Sequence, residues 1–139
     1  MHLQLLDEIW RTADASRQHC EGMLQELTEL SLPQFLALRT LIDAPKAPTP
    51  TDVARRLGCS KPNAAQLIAA LEERELVARG RDPNDARSYW VKPTIRGIDD
   101  IARCEEQLDD DAGHIFEPLA DHERLELFAL LRKLTFPPR

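Results

Sequence analysis

Thr49-Pro50-Thr51-Asp52-Val53-Ala54-Arg55-Arg56-Leu57-Gly58-Cys59-Ser60-Lys61-Pro62-Asn63-Ala64-Ala65-Gln66-Leu67-Ile68-Ala69-Ala70-Leu71 carries two helix starts and one helix stop in a short span. Thr49 suits an N-cap, Pro50 the first helical position, and Asp52 the return bond of a capping box. Val53, Ala54 and Leu57 then share one face, and Gly58 supplies the left-handed residue that ends a short helix. Ser60 is a second cap, after which Ala64, Leu67, Ile68 and Leu71 repeat at the spacing of a packed helix. Two helices joined through Gly58-Cys59 predict a helix-turn-helix. Asn63 and Gln66, on the outward face near the start of its second helix, are amides of the kind that match an adenine edge in the major groove.

Outward from that stretch, Leu76-Val77-Ala78-Arg79-Gly80-Arg81, the turn-rich Asp82-Pro83-Asn84-Asp85, and Arg87-Ser88-Tyr89-Trp90-Val91-Lys92 read as a β-hairpin. Residues two apart in a hairpin point to one side, so Asp85 is expected to bond the Arg87 guanidinium and aim it at a minor groove. Residues 3 to 28 read as a long helix with Leu6, Ile9, Trp10, Ala13, Cys20, Leu24 and Leu27 along one face. Ser31 caps a second helix that ends by Pro45, and residues 44 to 48 read as a connector. Thr94 caps a long helix with Ile98, Ile101, Ala102, Leu108, Ala112 and Ile115 as its stripe. Pro118 breaks it, and Asp121 to Thr135 form a last helix whose leucines cover more than one face. A short helix that apolar has to be covered by more than its own chain.

The order and spacing of Leu32-Pro33-Gln34-Phe35, Asp52 to Gly58, Ser60-Lys61-Pro62, Leu71-Glu72-Glu73-Arg74, Arg81 to Arg87 and Thr94-Ile95-Arg96-Gly97 resemble the winged helix-turn-helix of the MarR family of bacterial transcription regulators. The resemblance implies a mainly α fold with a small β wing, as one unit over residues 1–139. Residues 31–97 would be the DNA-binding region with the wing at 77–92, and residues 1–30 and 98–139 the helical dimerisation region. It implies a homodimer that binds a pseudo-palindromic double-stranded DNA operator as a repressor and responds to a small aromatic effector. That effector would lie in a crevice lined by the first, second and fifth helices. On this reading Ser60 and Lys61 lie on phosphates, Asn63 and Gln66 on base edges, and Arg81, Asp85 and Arg87 on the wing. The chain departs from the family pattern at Ala65 and Gln66, where a hydroxyl and an Arg are usual. Glu75 stands at a common Gly position, Ala86 at a frequent Arg and Pro93 at a Leu.

Composition narrows the alternatives. The formal charge is −6, but residues 55 to 92 hold eight Lys/Arg against five Asp/Glu, a local +3 that leaves −9 on the rest. A basic head on an acidic body orients a molecule toward phosphate with strongly salt-dependent binding. No apolar run approaches the roughly 18 residues of a membrane span, and the start lacks a basic-then-apolar leader, so a cytoplasmic protein is expected. Cys20, Cys59 and Cys104 have neither disulfide nor metal-site spacing, and the four histidines share no ligand motif, so no metal, no cofactor and structural thiols are expected. No Gly-rich phosphate loop or nucleophile elbow points to an enzyme. The competing reading is a winged-helix protein-interaction module that has lost DNA binding.

Overall fold

The computed structural model describes residues 1–137, which run as α1 (His2–Leu27), α2 (Leu32–Asp43), α3 (Pro50–Leu57), α4 (Lys61–Glu73), β1 (Val77–Arg81), β2 (Tyr89–Pro93), α5 (Ile95–Phe116) and α6 (Asp121–Lys133). The chain divides into two compact units, Met1–Glu105 and the part from Glu106 onward. Among the described residues no helix is long and apolar enough to cross a membrane.

In the first unit the helix starts are set by the expected caps. Ser31 Oγ accepts the Gln34 N–H while Gln34 Oε1 accepts the Ser31 N–H, and Thr49 and Asp52 repeat the arrangement for α3. The Thr49 N–H, donating to Asp52 at 3.0 Å, is the chief reason the Asp52 carboxyl lies below its ordinary range. Gly58 ends α3 at φ 66°, which lets the Cys59 N–H reach Ala54 O at 3.1 Å and turns the chain into α4. The helices then close over Phe35, Leu38, Val53, Ile68 and Leu71, all buried. Losing a side chain of this kind to Ala costs on the order of 2 to 5 kcal/mol.

The two strands pair antiparallel from Val77 opposite Pro93 to Arg81 opposite Tyr89, so the hairpin lies where the alternation predicted it. The Pro-rich link proves more than a connector: Pro48 O accepts the Val91 N–H at 2.9 Å, which ties this link to the outer edge of β2. Proline has no N–H to continue that pairing, so the third segment stops after one bond.

Of the stripe expected on α5, Ile101 is buried and Leu108 and Ala112 are half-buried, whereas Ile98, Ala102 and Ile115 are exposed, and the buried face is completed by Gly97 and Cys104. Close approach decides the phase: a Cβ on Gly97 would lie 2.2 Å from Leu76 O, so this face of α5 is the one that reaches the start of β1. Burial raises the Cys104 thiol above its ordinary value. In α1 only Leu24 of the expected stripe is buried, and Leu6 and Trp10 stand exposed.

The second unit holds the end of α5 and α6. Glu123 Oε1 accepts the Ala120 N–H at 2.9 Å to start α6, and Arg124 Nε donates to Phe116 O, an end carbonyl of α5. Lys133 ends α6, two residues before the expected Thr135, because Leu134 is extended, and no α6 residue is buried.

Glu75 is the single non-glycine residue with positive φ among the described residues, at 61°, where α4 turns into β1. A left-handed L-residue costs roughly 1 to 2 kcal/mol, and its ion pair to Arg96, 3.9 Å and well exposed, returns little. Glu75→Gly is therefore expected to raise the unfolding temperature, offset partly by the freer unfolded chain. Gly97→Ala is expected to destabilise by about 1 to 3 kcal/mol, because it forces backbone apart. Thermal unfolding followed by circular dichroism checks both signs.

Candidate DNA-binding surface

The first turns of α4 present one group of candidate residues. Ser60 Oγ accepts the Asn63 N–H at 3.2 Å, which caps the helix and leaves the hydroxyl proton available to donate. Lys61, Asn63 and Gln66 are exposed, while Ala64, Ile68 and Leu71 on the opposite face are buried. The packing of α4 thus fixes which side chains face outward. Pro62 has no N–H, and the Asn63 and Ala64 N–H groups go to Ser60, so the Lys61 N–H and its ammonium, beside the Ser60 hydroxyl, are the donors that suit a phosphate, while the amides of Asn63 and Gln66 suit base edges.

The wing presents the second group. Arg81 ends β1 opposite Tyr89, and residues 82 to 88 form the tip. Two successive turns build this tip: Asp82 Oδ1 accepts the Asn84 N–H at 2.9 Å and Asp85 Oδ1 accepts the Arg87 N–H at 2.9 Å. Ser88 N–H closes the loop onto Asp85 O at 3.1 Å. The expected bond from Asp85 to the Arg87 guanidinium is therefore corrected. Asp85 and Arg87 lie in the turn and not in a strand, and a short carboxylate there reaches the amide two residues on. Among the described residues the Arg87 guanidinium makes no ion pair, and the side chain is exposed.

Ion pairing sorts the basic residues of this segment. Arg55 pairs with Asp52 at 3.1 Å and Arg74 with Glu29 at 3.2 Å, and Arg79 pairs with Glu72. Lys61, Arg81 and Arg87 have no carboxylate partner among the described residues, and neither have Arg56 and Lys92. Arg56 on α3 and Lys92 on β2 were not singled out by sequence: Asp52 lies one turn before Arg56, and that it pairs with Arg55 and leaves Arg56 unpaired among the described residues is visible only in the structure. Lys92 lies over the Trp90 ring, 4.8 Å from its centroid.

A cleft of about 590 Å³ opens between Thr28-Glu29, the end of α4 and the start of α5. Its wall alternates in sign, with Arg74 on Glu29, Arg96 near Glu75 and Arg103 on Asp100, and it includes no α2 residue.

Comparison with known proteins points the same way. A model of the MarR family matches residues 28–88. The transcriptional regulator HosA of Escherichia coli O111:H- is 29% identical over 119 residues, covering 85% of this chain and 87% of that protein. The transcriptional repressor CouR, solved bound to a 23-mer DNA duplex, superposes with a TM-score of 0.81 at 26% identity, covering 91% of this chain and 88% of that one. The PcaV regulator of Streptomyces coelicolor, solved with its natural ligand, gives a TM-score of 0.73 at 24% identity over 88% and 87% of the two chains.

The wing geometry sets a test of Asp85. Asp85→Asn keeps an oxygen for the Arg87 N–H and should leave duplex affinity unchanged or slightly tighter, since a negative charge is lost. Asp85→Ala should weaken it, and Arg87→Ala should weaken it about tenfold. Equal losses in Asn and Ala, measured by fluorescence anisotropy, would restore the side-chain ion pair as the operative contact.

Proposed function

This chain is a member of the MarR family of transcriptional regulators, and on that premise we propose that it works as a homodimer that binds a pseudo-palindromic operator and represses the promoter there. The family is one of non-enzymatic DNA-binding regulators. The observation that carries the reading is the charge sorting: the cations left without carboxylates include Lys61 at the start of α4 and Arg81 and Arg87 on the wing. An arginine already paired with a carboxylate adds less to phosphate affinity than an unpaired one, because its positive charge is partly offset before it docks. Ser60 and Lys61 are assigned to phosphates, Asn63 and Gln66 to base edges in the major groove, and Arg81 and Arg87 to the adjacent minor groove, with Asp85 holding the turn.

The homodimer is supported by apolar surface that the single chain leaves uncovered. Leu3, Leu5 and Trp10 of α1 are 64%, 54% and 55% exposed, and Leu125 and Phe128 of α6 are 72% and 61% exposed. Patches of this kind on one chain mark an interface, and a second copy is the partner that closed symmetry supplies. Two recognition helices would then meet half-sites about 34 to 36 Å apart. Release by a small aromatic effector rests on the family resemblance and on the ligand complex of PcaV. A cytoplasmic location accompanies this reading.

Selection of fragments from random duplex DNA tests the function, and enrichment of a palindrome is the expected result. Recovery of no preferred sequence would favour the interaction-module reading. Sedimentation at micromolar concentration should give a dimer, and a stable monomer overturns that part. On the selected site, Gln66→Ala should cost about 1 to 3 kcal/mol at one base pair and relax specificity there. Lys61→Ala should weaken all sequences alike and lower the salt slope by about one.

A further inference from the structure

Arg79 stands apart from the other wing cations. It lies on β1, its Nε donates to Glu72 Oε2 on α4, and its guanidinium lies over the Tyr89 ring of β2, 4.4 Å from the centroid. Tyr89 faces Arg81 in the register, so Arg79 reaches it diagonally across the hairpin, and one side chain joins the recognition helix to both strands. The bond from Glu72 also raises the guanidinium above its usual range.

We propose that Arg79 is a positioning residue: it latches the wing to the end of the recognition helix and thereby sets where Arg81 and Arg87 meet DNA, without touching DNA itself. This rests on the DNA-binding reading above. A two-stranded ribbon twists and bends readily on its own. At about 3.3 Å per residue the tip lies roughly 20 Å from the Val77 base, so a rocking of about 10° moves it roughly 3 to 4 Å, more than a hydrogen bond tolerates. Pro48 O holds β2 at Val91, and the Arg79–Glu72 pair holds β1 at the residue opposite it, so with the latch both strands are fixed at that rung and without it β1 is free to rock there.

Glu72 gives the test its sign. Removing an acid from a DNA-facing region by electrostatics alone tightens duplex binding, whereas removing the latch weakens it. The full-length chain and its variants are titrated by anisotropy against the duplex that the wild type selects, at several salt concentrations. Glu72→Ala, Arg79→Met and Tyr89→Leu are each expected to weaken binding about three- to fivefold, while Tyr89→Phe, which keeps the ring, binds as wild type. Arg79→Met should leave the salt slope unchanged, and Glu72→Ala should add nothing further in a background that carries both Arg81→Ala and Arg87→Ala. Unfolding temperatures separate these effects from loss of fold. Glu72→Ala binding as tightly as wild type, or tighter, overturns the proposal, and so does a slope lowered by about one in Arg79→Met, which makes Arg79 a phosphate contact. A wild type that selects no duplex overturns the DNA-binding reading itself, and the latch with it.

Discussion

The carbonyl oxygen of Leu76 is the point on which the reading head depends. It accepts the Thr94 N–H at 2.9 Å, while the Leu76 N–H donates to Leu71 O at 3.0 Å. One residue earlier, Glu75 O accepts the Thr94 hydroxyl at 2.7 Å, and that hydroxyl oxygen accepts the Gly97 N–H at 3.1 Å. The end of α4, the start of β1, the end of β2 and the start of α5 are thus joined through two peptide units. Buried main-chain groups must be paired, and here each pairing also fixes an angle between elements. The missing Cβ of Gly97 lets α5 come close enough, and the left-handed Glu75 lets the chain leave α4 quickly enough. Strain at Glu75 is outweighed by the bonds that follow from it, since each is worth about 1 kcal/mol net.

From that knot the surface electrostatics follow. With the hairpin base fixed beside the end of α4, Glu72 pairs with Arg79, and Glu75 lies within 3.9 Å of Arg96. Farther along the hairpin, past Arg79, no described carboxylate pairs with Arg81 or Arg87. A chain with net charge −6 still leaves Lys61, Arg81 and Arg87 unpaired among the described residues, because Asp82 and Asp85 each give an oxygen to backbone N–H groups of the wing tip. The sum of charges carries less information than the pairing.

Local signals made most of the fold legible. The caps at Ser31, Thr49 and Ser60, the stop at Gly58 and the hairpin around residues 82 to 88 all rest on chemistry within four residues, and each stands where the sequence put it. What escaped depends on geometry that sequence spacing does not encode. Asp85 was read with strand periodicity when it sits in a turn, so its oxygen goes to an amide and not to a guanidinium. The α5 face was chosen by counting apolar residues, whereas packing completed it with a glycine and a cysteine. The Arg79–Glu72 pair spans a left-handed corner, and no helical or strand repeat brings positions seven apart across such a corner. The Pro48 bond to Val91 joins segments far apart in the chain, beyond any local rule.

Burial along α5 fades in a way that bears on assembly. Gly97, Ile101 and Cys104 follow at intervals of four and three, Leu108 is half-buried, and Ile115 and Phe116 are exposed. The first turns of α5 are thus held by the reading head. α6 has leucines on several faces and no buried residue. A helix of thirteen residues is marginal in water on propensity alone, and the proposed homodimer would supply burial that steadies it. On the proposed homodimer, the same α5 that is anchored at Gly97 by close contact with Leu76 would carry the constraint of the partner back to the base of the wing. Half-site spacing would then be set by helix length and rigidity, and affinity by the cations at the start of α4 and on the wing.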